Sequence, residues 1–211
     1  MMALAGIWRY PVKSMRGESL DAVSLTVEGV FGDRVVQVFS RQGRLVTART
    51  HHALLAHNAA LGSDGEPTVD GHHWTTREAR ALIEATIGKG AELRRDDNRR
   101  FDILPLLVAT DGALAAFGRD ARRLRPNLII GGVSGLRERE WEGRRLRIGN
   151  AVIALDDLRA RCVMTTFDPD TVSQDPDVLR DIVRRFQGSL CLNASVITPA
   201  RVAIGDSVDL L

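Results

Sequence analysis

Over most of this chain apolar and polar residues alternate with a period of two, the pattern of half-buried strands. Ala3 to Arg9 is apolar and runs up to Pro11, and Leu20 to Val27 alternates through Leu20, Val23, Leu25 and Val27. Asp33 to Ser40 predicts the next strand. Arg41-Gln42-Gly43-Arg44 predicts a hairpin turn, and Leu45 to Ala48 the returning strand. Ala53 to Leu61 fits helix or strand. Ser63 to Pro67 and Val69-Asp70-Gly71 are turn clusters. Further strands are predicted at Leu104 to Ala109, Asn127 to Ile130, Arg161 to Thr166, Leu192 to Ile197 and within Val202 to Leu210. Leu146 to Ile148 and Ala151 to Leu155 flank Gly149-Asn150, a strong hairpin signal.

Helical periodicity is confined to short stretches. Thr76 to Ile87 carries an apolar stripe of Ala79, Leu82, Ile83 and Ile87, with a capping box expected from Thr75 and Glu78 and a stop at Gly88. Asp111 is expected to cap a helix through Phe117, ended by Gly118. Asp175-Pro176 is expected to open another, with proline in its first position, running to about Gln187. Strands and helices do not alternate regularly, so a doubly wound or (β/α)₈ layout is not expected. The pattern predicts a β-rich α+β fold, a mixed barrel with peripheral helices. The charged stretch Ala91 to Phe101, which includes Arg99, is a plausible seam. It divides a smaller N-terminal β domain, residues 1–90, from a barrel domain, residues 91–211.

Composition narrows the function. No apolar run approaches the ~18 residues of a membrane-spanning helix, and Met1 to Tyr10 does not read as a signal peptide. With two cysteines, Cys162 and Cys191, a disulfide scaffold, a Cys₄ zinc site and a self-contained ordinary iron–sulfur cluster are excluded. A reducing, cytoplasmic location is the simplest expectation. Net charge is only +2 and aromatic residues make up 5%, so a nucleic-acid surface of stacked aromatics is not expected. Of 29 basic residues only Lys13 and Lys89 are lysine; the rest are arginines, which can fork onto phosphates and carboxylates. His51-His52 and His72-His73 are adjacent pairs whose side chains face opposite ways on a strand, a poor basis for zinc.

Four clusters carry candidate chemistry. Cys162 follows Arg161 and precedes Thr165, Thr166 and Asp168-Pro169-Asp170; a cation beside a cysteine favours thiolate, although a strand cysteine also packs as a small inert hydrophobe. Arg125-Pro126-Asn127 offers a phosphate fork beside a donor–acceptor amide. Lys13-Ser14 after Tyr10-Pro11 could grip an anion, as could Arg34 and Arg49.

The stretches Tyr10-Pro11-Val12-Lys13-Ser14-Met15-Arg16-Gly17, Gly32-Asp33-Arg34, Val46-Thr47-Ala48-Arg49, Arg125-Pro126-Asn127, Arg161-Cys162-x-x-Thr165-Thr166-x-Asp168-Pro169-Asp170-Thr171 and Ile204-Gly205-Asp206-Ser207-Val208 together resemble the MOSC proteins, named for the C-terminal domain of molybdenum-cofactor sulfurase. The likeness is closest to the group with an N-terminal β-barrel companion, which includes mitochondrial amidoxime-reducing components and bacterial N-hydroxylamine reductases. It implies a MOSC β-barrel after a smaller β domain, with a molybdopterin-type molybdenum cofactor between them. Cys162 would be the thiolate ligand to molybdenum, and Cys162 and Asp168 the catalytic pair. Lys13, Ser14 and Arg34 match residues that hold the pterin and its phosphate, and Arg125 and Asn127 match the same environment. Arg49, Arg161, Thr165, Thr166 and Asn193 are further matching positions.

The implied activity is reduction of small N-hydroxylated substrates, with electrons from a separate reductase, cytochrome or ferredoxin. A non-redox cofactor or sulfur carrier using Cys162 is the alternative, and a barrel serving only as an interaction domain a third reading. The family's glycine after Asp-Pro-Asp-Thr is Val172 here, its Phe-Gly pair is Leu190-Cys191, and its Ser-Pro step is Leu104-Pro105.

Overall fold

The computed structural model describes residues 1–97 and 100–211; Arg99, part of the expected seam, lies outside the described residues. In chain order the elements are β1 (Met2–Arg9), β2 (Glu18–Leu20), β3 (Ala22–Thr26), β4 (Gly29–Val30), β5 (Val36–Phe39), β6 (Leu45–Val46), β7 (Ala59–Leu61), β8 (Pro67–Val69), β9 (His72–His73), α1 (Arg77–Ile87), β10 (Glu92–Arg95), β11 (Leu106–Thr110), α2 (Asp111–Phe117), β12 (Leu128–Gly131), β13 (Arg145–Ile148), β14 (Ala151–Ala160), α3 (Asp177–Phe186), β15 (Ser189–Thr198), β16 (Ala200–Ala203) and β17 (Ser207–Leu210).

Seven strands close a barrel in the order β12-β11-β15-β14-β13-β17-β1, sealed by β1 pairing back onto β12, with β2 attached outside β1. Only β11 and β12 run parallel within it, and α2 lies in the connection that such a pair requires. Alternation fills the interior: in β13, Leu146 and Ile148 are buried while Arg145 and Arg147 face solvent. They join Leu4, Ile7, Val108, Ile130, Ile153 and Leu192 in one apolar core. Each such side chain contributes about 1.5–3 kcal/mol on burial.

The first strand of the chain is thus a barrel stave, paired through Ala3 and Leu4 with Gly131 and Ile130 and through Met2 and Ala3 with Val208 and Ser207. A second core follows it, built from Val12, Met15, Val36, Val38, Leu54, Val69, Ala79 and Ile83. The sheet β10-β5-β6 carries part of this core, and α1 contributes Ala79 and Ile83. A third cluster seats α2 and α3 against the barrel through Phe117, Val178, Ile182, Phe186 and Cys191.

Several elements differ from the periodicity. The α1 cap is Thr76, whose hydroxyl accepts from the Ala79 amide at 3.3 Å, and not Thr75, which pairs with His73 Nδ1 at 2.8 Å. Thr110, not Asp111, caps α2, and α3 begins at Asp177, with Pro176 as its cap. The stretch Leu20–Val27 splits at Asp21, because β2 pairs with β1 while β3 pairs with β16. Arg161 to Thr166 is not a strand: the chain is extended at Cys162 and then makes a 3₁₀ turn, Val163–Thr166. The Thr165 and Thr166 hydroxyls donate back to the carbonyls of Cys162 and Val163, at 2.9 and 2.7 Å. Such back-bonding competes with a strand ladder.

Candidate functional site

The chain leaves the barrel at Tyr10-Pro11 and returns to it through Arg100–Pro105. Both crossings, with the ends of β12 and β14, wall one cavity of about 280 Å³. Asp33, fully buried, organises the first crossing. Its Oδ1 accepts the Tyr10 amide at 2.7 Å, and its Oδ2 takes a guanidinium N–H of Arg34. The Arg34 and Arg125 guanidinium carbons lie 4.9 and 4.1 Å from the Tyr10 ring centroid, so one buried ring carries two cations. Burial pushes the Tyr10 phenol up to about 12, against the pull of Arg125 and Arg34. Burial pushes Arg125 down to about 10, with Arg34 adding to it against the favourable Tyr10 interaction.

Ser14, Arg34 and Arg125 all have left-handed backbone, φ 72°, 55° and 57°. Non-glycine residues pay for this conformation, and such strain collects at functional sites. Gly17, last in its motif, explains its own identity. A Cβ there would meet the Arg9 carbonyl oxygen at 2.3 Å and Tyr10 Cδ1 at 2.5 Å. Gly17→Ala should therefore tilt the ring that carries Arg34 and Arg125. The expected cost is about 2–3 kcal/mol, read as a fall of roughly 4–12 °C in Tm.

The second wall centres on Asp102. Its carboxylate lies 2.8 Å from Lys13 Nζ, 2.6 Å from Arg49 Nη2 and 3.8 Å from Arg159 Nη2. Burial opposes ionisation of Asp102, but the hydrogen bond from Lys13 and the charges of Lys13, Arg49 and Arg159 outweigh it and hold the carboxyl below the usual range. A depressed folded-state value adds stability above the unfolded value of about 3.9, lost as pH falls through the folded value. Asp102→Asn should thus flatten the acid limb of the stability curve: denaturant titrations at pH 6 and pH 3 should differ less for the variant than for wild type. Beside Asp102, Arg100 is buried and donates twice to the Asp33 carbonyl, at 3.1 and 2.9 Å, while its own carbonyl accepts from Lys13 Nζ at 3.2 Å.

The third wall carries the thiol. Cys162 is half-buried and lines the cavity, whereas Cys191 is fully buried, and burial pushes the Cys191 thiol up to about 11. The turn after Cys162 is held from outside by Arg123, which donates to the Thr166 carbonyl at 3.0 Å and to Asp168 Oδ2 at 2.9 Å. Asp168 Oδ1 meanwhile accepts from the amides of Asp170 and Thr171, at 3.0 and 2.9 Å. Those two amide bonds, with help from the Thr171 hydroxyl and Arg123, hold its carboxyl below the usual range. Arg161 donates to the Leu124 carbonyl at 2.6 Å, and its buried Nε has no partner among the described residues.

Of the residues singled out in the sequence, Lys13, Ser14, Arg34, Arg49, Arg125, Asn127, Arg161, Cys162 and Asn193 line this cavity. Thr165, Thr166 and Asp168 are not among its lining residues; their polar atoms shape the turn behind Cys162. Asn127 reaches the wall with its amide already engaged, accepting from the Leu107 amide at 3.2 Å and donating to the Trp8 carbonyl at 3.3 Å. It ties three strands together and stands 3.5 Å from Arg34 Nη1. Arg100, Asp102, Arg123 and Arg159 are wall residues not named as site candidates from the sequence; Arg100 lies in the run read as a seam, Ala91 to Phe101, and Asp102 just beyond it. Among the described residues eight cationic side chains and one carboxylate line the cavity, an environment for an anion. At the family's glycine positions Val172 and Cys191 keep left-handed backbone, φ 58° and 68°.

Comparison with known proteins agrees with this architecture. Residues 1–97 match the family described as the MOSC N-terminal beta barrel domain, and residues 111–209 match the MOSC domain. Mitochondrial amidoxime reducing component 2 of Homo sapiens is 26% identical over 227 residues, covering 80% of this chain and 67% of that protein. Mitochondrial amidoxime-reducing component 1 of Homo sapiens is 23% identical over 229 residues, with the same coverage of each. The YuaD protein from Bacillus subtilis shares the fold, with a TM-score of 0.54 at 14% identity, covering 100% of this chain and 96% of that one. Among the described residues no helix is long and apolar enough to cross a membrane. The chain belongs to the MOSC family, in the group that carries the N-terminal β-barrel domain.

Proposed function

We propose that this protein is a molybdenum-cofactor-dependent oxidoreductase that reduces N-hydroxylated compounds, amidoximes and N-hydroxylated bases, with electrons from a separate donor protein. The observation that carries this reading is an accessible thiol, Cys162, on the wall of a cavity that eight cations line among the described residues. The residues present fit the group. A phosphate-bearing pterin needs buried cations, and Lys13, Arg34 and Arg125, with Ser14, are the residues that would hold it. The orphaned Nε of Arg161 is a donor in want of an acceptor. A soft thiolate suits a metal already bound by sulfur.

When bound, the cofactor would supply a metal centre able to take an oxygen atom and exchange two electrons. The net reaction consumes an N–OH compound, two electrons and two protons, and gives the N–H compound and water. The protein's own residues bind and orient. Arg161 immediately precedes Cys162 and lines the same cavity. The 3₁₀ turn fixes the cysteine backbone, and Asp33 holds Arg34 through its carboxylate and Arg100 through its carbonyl. With only two cysteines in the chain, electrons are expected from outside.

The test is reductant-driven turnover. Purified protein from a host with active cofactor synthesis, given reduced viologen, should convert a simple amidoxime to the amidine, and cofactor-free protein should not. Transfer of sulfane sulfur from Cys162 without any N-reduction would favour a carrier instead.

A further inference from the structure

Inside the cavity the cations are unequally satisfied. Lys13 and Arg49 sit on Asp102 at 2.8 and 2.6 Å, Arg34 is paired with Asp33, and Arg125 donates to the Met15 carbonyl at 2.7 Å. Arg159 is different. Among the described residues its one hydrogen bond runs from Nη1 to Asn193 Oδ1 at 3.3 Å. Asp102 stands 3.8 Å from its Nη2, and each Asp102 oxygen has a nearer cation. Nε and Nη2 are left as free donors of a planar fork.

The fork is aimed. Asn193 Nδ2 donates to Asp157 Oδ1 at 2.7 Å; a carboxylate only accepts, so the amide can turn only its oxygen toward the arginine. Arg159 and Arg161 share one face of the extended chain that leads to Cys162. The Arg159 side chain is 20% exposed, open to a ligand yet largely covered by protein. Burial already works against its charge.

We propose that Arg159 is a specificity-determining residue, which selects N-hydroxylated substrates that also carry a carboxylate by receiving that carboxylate on its free guanidinium donors. The inference rests on the N-reduction reading above. A neutral substrate entering the cavity strips water from this guanidinium and returns no partner. A carboxylated one replaces the water with a charge-assisted pair.

The test compares benzamidoxime with its 3- and 4-carboxy derivatives, which share the reacting group. For wild type, kcat/KM should favour a carboxylated compound by roughly ten- to a hundred-fold, carried mainly by KM. Arg159→Leu should erase the preference while keeping benzamidoxime turnover, and Arg159→Lys should restore part of it; Arg159→Gln replaces the leucine variant should that fail to fold. Equal kcat/KM in wild type, or a preference that survives in Arg159→Leu, overturns the assignment. If wild type reduces none of the compounds, the N-reduction reading fails. Calorimetry with benzamidine and the carboxybenzamidines then decides Arg159 separately. Tighter binding of a carboxylated product by wild type, lost in Arg159→Leu, supports it, and equal binding overturns it.

Discussion

Cys162→Ala is expected to remove turnover of N-hydroxylated substrates almost completely, by roughly a thousand-fold or more, the scale seen when one member of a reacting unit is deleted. Stability should barely change. The thiol is half-buried at the edge of a cavity, and the turn behind it is pinned by backbone and threonine atoms that the substitution leaves in place: the Cys162 carbonyl still accepts from the Thr165 amide at 3.0 Å and its hydroxyl at 2.9 Å. Thermal midpoints of variant and wild type should agree within about 2 °C, on a scale where 1 kcal/mol is worth about 2–4 °C. The second cysteine should behave in the opposite sense. Cys191 lies in the core against α3, so Cys191→Ala should cost stability and leave turnover largely intact. Equal loss of activity in both variants would deny Cys162 its special place.

Arg123→Ala is expected to cost both stability and turnover. The side chain is 10% exposed and supplies three acceptors at once: the Thr165 and Thr166 carbonyls and the Asp168 carboxylate. Its removal leaves the end of the Cys162 turn and the Asp168 loop without a common tie. Losing a charge-assisted hub of this kind costs about 2–4 kcal/mol, a fall of roughly 5–15 °C in Tm. Turnover should fall by more than the folded fraction accounts for, because the turn that places Cys162 is loosened. Arg123→Lys can reach one of these acceptors but cannot fork, and should recover only part of both losses. A variant with wild-type Tm and turnover would remove Arg123 from the account.

Much of the barrel was legible because its staves alternate. Leu146 and Ile148 point inward beside outward Arg145 and Arg147, and Gly149-Asn150 sits where β13 turns into β14. The closure was not legible. That β1 pairs with both β12 and β17 depends on contacts between segments far apart in the sequence, which no local pattern encodes. The turn after Cys162 was misread for a physical reason: Val163, Thr165 and Thr166 are β-branched and favour strands, yet the two hydroxyls bond the carbonyls three residues back. The motifs that resemble the family contributed nine residues that line one cavity, but they named Thr165, Thr166 and Asp168 alongside them, although these brace the wall from behind. Arg100 was hidden in the charged run Ala91 to Phe101, with Asp102 just past its end, since charge alone does not distinguish a solvated loop from one folded into a cavity wall. Nor does any residue type announce that Ser14, Arg34 and Arg125 adopt left-handed backbone.

The central claim is that Cys162 gives its sulfur to molybdenum held in this cavity. X-ray absorption at the molybdenum edge, on wild type and Cys162→Ser purified from a cofactor-producing host, tests it most directly. The account predicts close to one molybdenum per wild-type chain and one sulfur fewer in the metal's first shell in the variant. An identical sulfur shell in the two proteins, or wild type that carries no molybdenum, would contradict it.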